Sequence, residues 1–199
     1  MRSARFFYSL VTALLFTMVT NAQINVKPVD KLGVKGPLSF DNTVYNLSWT
    51  SNPTPNYFKQ EYLPKGEDET KFKSMLMVEV ATGAINLKDV VEGKVAELKS
   101  LGTTNPFISY ETSYNAEKDE YLLDFVITQN SADNKSAVIA ERNVYRYKNL
   151  PSKKGIMLFA VSKRSYGTDT KNFLATAKSG RNVLVDKVKL YDLPVVTIK

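Results

Sequence analysis

The densest run of chemically useful side chains is Arg142-Asn143-Val144-Tyr145-Arg146-Tyr147-Lys148, followed after one turn by Lys163-Arg164-Ser165-Tyr166. Alternate residues of an extended chain share a face, so Arg142 and Arg146 point the same way. If the two stretches pair as strands across the Pro151 turn, Arg142, Tyr145, Arg146, Lys163, Arg164 and Tyr166 offer guanidinium, ammonium and phenol donors. Such donors suit a carboxylate, phosphate or sulfate. A ligand-binding role predicts that Arg142, Arg146 and Arg164 converge on one accessible surface. The alternative is an ordinary solvated sheet face, or arginines paired with Asp124 or Glu141. Asp124 itself interrupts the apolar run Leu122-Leu123-Asp124-Phe125-Val126, so it either faces solvent or meets a cation.

A second group is aromatic. Trp49, Tyr57, Phe58 and Tyr62 surround the loop that holds Pro53 and Pro55. Exposed rings of this kind stack on sugars or docking peptides, but alternation also places Phe58 and Tyr62 on one strand face, which favours a core role, with Trp49 expected to be buried. Carboxylates cluster at Glu67-Asp68-Glu69 and at Glu117, Asp119 and Glu120. Both clusters fall in expected turns and read as solvated charges, without the alternating oxygen donors of a calcium loop.

The chain has no histidine and no cysteine. Serine–histidine and cysteine–histidine catalysis, thiol redox chemistry and imidazole or thiolate zinc sites are therefore excluded. Paired carboxylates, a lysine or tyrosine base, or oxygen ligation of a hard metal remain. No glycine-rich dinucleotide or phosphate loop and no EF-hand spacing is present, so no cofactor, no metal and no catalytic residue is assigned. Asn46-Leu47-Ser48 and Asn134-Lys135-Ser136 match the glycan-acceptor pattern, which matters only in a eukaryotic secretory route.

These residues are expected to reach an exported domain. Arg2 and Arg5 precede an apolar run at 6–19, and Thr20-Asn21-Ala22 follows, which reads as a signal peptide over residues 1–22 cleaved before Gln23. The run is shorter than the about 20 residues that span a bilayer, and no later stretch is long enough. With no cysteine at the cleavage site, lipid anchoring is not expected, and the destination is the periplasm or the exterior. Loss of Arg2 and Arg5 lowers the formal charge from +7 to +5, which favours anionic partners such as small anions, acidic glycans or lipid headgroups. Basic residues are mixed with acids, without the long runs of a nucleic-acid surface. Stability without disulfides requires a buried core, and the 43% hydrophobic content supplies the residues for one.

Residues 23–38 carry Pro28, Gly33, Gly36 and Pro37 and read as an extended lead-in to a single domain over 39–199. Strands are predicted at 40–49, 57–63 and 71–82, with a break at 52–56. Asn86 caps a helix in which Leu87, Val90, Val91, Leu98 and Leu101 form the apolar face. Lys88, Glu92, Lys94 and Lys99 are assigned to water, and Gly102 to the left-handed end. Four strands follow at 107–114, 120–129, 137–148 and 155–166, joined by turns short enough for antiparallel neighbours. Thr168 or Asp169 caps a second helix carrying Phe173, Leu174, Ala177, Val183, Leu184 and Val188, with a kink or split at Gly180. The tail at 193–198 has the β-branched content of a final strand.

The expected fold is α+β, a mostly antiparallel sheet of six or seven strands covered by two helices. This order of strands, helix, strands and carboxy-terminal helix resembles the layout of the Mog1/PsbP/DcrB-like families over roughly residues 39–192. The resemblance lies in element order. It implies a sandwich fold and carries no functional residue to this chain. Three functions are left open: a non-catalytic exported domain that binds an anionic ligand, a glycan or a partner protein; a hydrolase or lyase using carboxylates or a tyrosine; and an envelope assembly component.

Overall fold

The structure is a computed structural model that describes residues 27–151 and 154–198. The expected signal peptide at 1–22 and the start of the lead-in at 23–26 lie outside the described residues. Eight strands form one antiparallel sheet: β1 (Leu38–Phe40), β2 (Thr43–Thr54), β3 (Tyr57–Pro64), β4 (Ser74–Thr82), β5 (Ser109–Asn115), β6 (Glu120–Asn130), β7 (Ala137–Asn149) and β8 (Gly155–Tyr166). The order across the sheet is β1-β2-β3-β4-β8-β7-β6-β5. Two hairpin-connected meanders thus meet at β4 and β8, and α1 (Leu87–Gly102) links them. The count exceeds the expected six or seven, because Leu38–Phe40, where the lead-in enters the domain, forms a separate strand that pairs with the start of β2.

Alternation along the strands sorts the core onto two faces. On one, Phe58, Leu76, Val78, Val80, Val144, Phe159 and Val161 pack with Leu32 and Val34 of the lead-in and with Val188 of α3 (Arg181–Leu190). On the other, Leu123, Phe125, Tyr145, Tyr147 and Leu158 pack with Leu87, Val91 and Leu98 of α1. The sheet is therefore sandwiched between α1 on one face and α3 with the terminal segments on the other.

Helix α1 is capped as expected, with Asn86 Oδ1 accepting from the Asp89 amide at 3.2 Å. Its ending differs. Gly102 does not adopt a left-handed φ, and the last carbonyls are met by a tightened turn, Thr103 N to Ser100 O and Asn105 N to Leu101 O, aided by Thr103 Oγ1 to Ser100 O at 2.7 Å. Lys94 is also not on the solvent side. It lies on the buried stripe Leu87, Val91, Lys94, Leu98, where its ammonium pairs with Glu97 at 2.9 Å and sits 5.4 Å from the Phe125 ring centroid.

The carboxy-terminal helix splits at Gly180 into α2 (Thr170–Ser179) and α3, preceded by a turn of 3-10 helix at Gly167–Asp169. Asp169 stands at the N-cap position of α2 as expected, but its side chain makes no capping hydrogen bond. Thr170 Oγ1 instead donates to Ala137 O and Gly167 O, fastening α2 to the start of β7. The tail at 193–198 forms no strand. It runs beside the lead-in with a single backbone bond, Thr197 N to Leu32 O at 2.7 Å, while Leu193 and Val196 pack on the core. β2 runs through the expected break to Thr54 by taking a register shift between Ser51 and Thr54, which accommodates Pro53.

Candidate functional site

The β7–β8 register sets Arg142 beside Lys163 and Glu141 beside Arg164. Arg142, Arg146 and Lys163 share the face of Val144 and Val161, whereas Tyr145 and Arg164 share the opposite face. The six residues singled out from the sequence do not form one surface, because Lys163 and Arg164 are consecutive and must point apart.

Each arginine meets an acid. Arg142 donates from Nε to Asp124 Oδ1 at 2.9 Å and from Nη2 to Asp124 Oδ2 at 3.3 Å, and also reaches the Arg181 carbonyl at 2.7 Å. Arg181 closes on the same Asp124 at 2.5 Å. Arg146 makes a two-point pair with Glu120, 3.0 Å on each arm, and its Nη1 donates to the carbonyls of Val188 and Tyr191. That guanidinium caps the carboxy-terminal end of α3, where the last carbonyls have no partner within the helix. Glu120 is accordingly the buried first residue of β6 and not a solvated turn acid. Arg164 pairs with Glu141 at 2.5 Å and lies over Phe72, 3.9 Å from the ring centroid. Tyr166 donates to the Phe72 carbonyl at 2.9 Å. These pairs hold helices and loops to the sheet.

Lys163 differs from the arginines. It is half-buried, and it makes no ion pair with a described residue; its ammonium donates to Ser74 Oγ at 2.8 Å. Ser74 faces it across the β4–β8 register, and Ser74 Oγ shares a second hydrogen bond with Tyr45 Oη at 2.6 Å. The Ser74 backbone is fixed in turn, its amide donating to Glu67 Oε2 at 3.1 Å. Desolvation lowers the Lys163 pKa, against the weaker pull of Asp41 and Glu67, while Lys187 adds to the lowering. Lys187 is tied to Asp41 at 2.5 Å. Burial likewise raises Tyr45, so its phenol stays protonated. An ammonium and two hydroxyls thus form one contiguous row, Lys163 of β8 and Ser74 of the neighbouring β4 being joined by Tyr45, whose side chain reaches from β2 past the end of β3.

Among the residues expected to be aromatic core, Phe58 and Tyr62 are buried on one face, Tyr57 is partly buried, and Trp49 is 40% exposed. Trp49 lies on the α1 face, but α1 packs chiefly over β5, β6 and β7, at the far side of the sheet from β2. Sequence reasoning missed Ser74, Tyr45 and the charged residues of the α1 face, Lys59, Glu61 and Glu79. Glu79 did carry a signal, an acid inside the apolar run Met77-Val78-Glu79-Val80, of the same kind that marked Asp124.

A model of an uncharacterised protein family matches residues 32–193, a span that contains the eight strands and three α-helices of the described residues. The chain belongs to that family. No curated protein and no solved structure matches it. The family span begins at Leu32, whose amide bonds Gln60 Oε1, and ends at Leu193 of the core, so it takes in Leu32 and Val34 of the lead-in and stops at the start of the tail. Among the described residues, no helix is long and apolar enough to cross a membrane, and no group of three or more metal-ligating side chains comes together.

Proposed function

We propose that the chain is an exported, non-catalytic domain that binds a small anionic ligand at Lys163, with the Ser74 and Tyr45 hydroxyls as its neighbours. One observation carries the reading: Lys163 is a half-buried ammonium whose hydrogen bond goes to a neutral serine. An ammonium drawn partly out of water with no carboxylate in direct contact, Asp41 and Glu67 acting only from a distance, is costly, and an arriving carboxylate, phosphate or sulfate lowers that cost. Desolvation of the amine works in the same direction, since an anion restores the protonated form. The arginines, being satisfied by acids, leave this role to the lysine. Export rests on the amino-terminal pattern at 1–22, and the element order still resembles the Mog1/PsbP/DcrB-like families, whose members include exported bacterial proteins. The test is the melting temperature in phosphate or sulfate against chloride at equal ionic strength. A rise for the divalent anions that disappears in Lys163→Met supports the reading, and equal melting in all three salts contradicts it.

The same corner supports a second reading, nucleophilic chemistry at Ser74 with Lys163 as base. The lowered amine pKa beside a serine hydroxyl at 2.8 Å favours it. Labelling of Ser74 by a fluorophosphonate, lost in Lys163→Met, distinguishes this reading from anion binding alone.

A further inference from the structure

The two edges of the sheet are protected unequally. At one edge β1 is only three residues long, and behind it β2 takes register shifts between Leu47 and Trp49 and between Ser51 and Thr54, with Pro53 inside the second. Short strands, bulges and proline stop an edge from pairing with another chain. The β5 edge has none of these. β5 runs for seven residues, Ser109-Tyr110-Glu111-Thr112-Ser113-Tyr114-Asn115, in unbroken register with β6, and it holds no lysine and no proline. Peptide groups alternate in direction along a strand, so every second residue of β5 turns its N–H and C=O away from β6, where among the described residues no other backbone meets them.

The order of residue types in β5 selects what fits there. Tyrosines stand at equal distances on either side of Thr112, at 110 and 114; inside them lie a carboxylate at Glu111 and a hydroxyl at Ser113. A twofold axis perpendicular to the sheet through Thr112 lays β5 of a second copy antiparallel to the first along its whole length. Thr112 then faces Thr112, each Tyr110 faces Tyr114 of the other copy, and each Glu111 faces a Ser113 hydroxyl. An axis through Glu111 would set two carboxylates opposite one another, and an axis through Ser113 would leave Ser109 and Tyr110 unpaired.

The side-chain rows agree with that register. On the α1 face Tyr147, Tyr121 and Tyr114 form one cross-strand row, with the Tyr114 and Tyr121 ring centroids 4.6 Å apart. The row ends at the edge on the Tyr114 ring, which is 51% exposed. Tyr110 of a second copy continues it, followed by Phe125 of that copy. Aromatic and threonine pairs of this kind stabilise antiparallel neighbours. On the other face Arg181 lies 3.0 Å from Glu111 and offsets its charge as a second strand approaches.

We propose that the chain forms a homodimer in which two sheets join edge to edge through β5, in the register centred on Thr112. β6 and β7 separate this edge from β8, so the inference is independent of the anion site at Lys163.

Sedimentation velocity of the purified chain in the micromolar range, with light scattering for mass, tests the interface. Thr112 is exposed, so Thr112→Lys and Thr112→Glu leave the fold intact, which circular dichroism checks. The expected result is a dimer for the parent chain and self-association weakened about tenfold or more in each variant, because like charges then face one another across the axis. Mixing the two variants sets lysine against glutamate and restores the dimer. A monomeric parent chain overturns the proposal. So does a dimer that both variants leave intact, or a mixture of the two weakened variants that stays monomeric.

Discussion

Asp124 and Arg142 meet through two hydrogen bonds on neighbouring strands, with side chains 7% exposed on both sides, and Arg181 of α3 closes on the same carboxylate. The arrangement converts an acid in an apolar strand into the anchor of a helix. Two guanidiniums lean on one carboxylate, so its removal strands Arg142 in a place without water.

Asp124→Asn is therefore expected to destabilise the fold by about 3–5 kcal/mol, the range for breaking a buried pair by removing one partner. Chemical denaturation followed by circular dichroism measures it. A loss below about 1 kcal/mol, the level of an exposed pair, contradicts the assignment.

Arg146 binds Glu120 and two carbonyls at the end of α3 at once, which a lysine cannot reproduce. Arg146→Lys keeps the charge and loses the fork, with an expected cost of about 2 kcal/mol. Hydrogen exchange should locate the damage, through faster exchange of α3 amides with α1 amides unchanged.

Glu79 gives a pH dependence. Burial raises its pKa, so the folded chain holds this proton to a higher pH than the unfolded chain does. Its contribution to stability is fully present below the ordinary carboxylate range and is lost as pH rises through the raised value. Glu79→Gln removes the ionisation. The variant is expected to melt above the parent at pH 7, with the gap closing as the pH falls toward about 4. A gap that is independent of pH contradicts the buried-carboxylate account.

Much of this was legible in the sequence, for physical reasons that also mark where legibility stopped. Period-two alternation placed Arg142 and Arg146 together, and the polar interruption at Asp124 pointed to a cationic partner. The strand-to-helix order gave the α+β sheet, and Gly180 marked the division of the last helix. Lys94 goes against its polarity: its spacing from Leu87, Val91 and Leu98 puts it on the buried stripe, where the pair with Glu97 makes that burial tolerable. Trp49 was expected to be buried on its size, but burial depends on what covers the strand, and α1 packs chiefly at the far side of the sheet from β2. Lys163 was legible as a candidate cation, but its neighbours Ser74 and Tyr45 were not. Ser74 and Lys163 are 89 residues apart and meet only because β8 inserts beside β4, a pairing of strands far apart in the chain that no local pattern encodes.

Titration calorimetry of inorganic phosphate into the protein and into Lys163→Met tests the anion site most directly. The account predicts saturable binding that weakens as the pH rises through the lowered Lys163 pKa and is abolished in the variant. Phosphate binding of equal affinity in both proteins, or none in either, would contradict it.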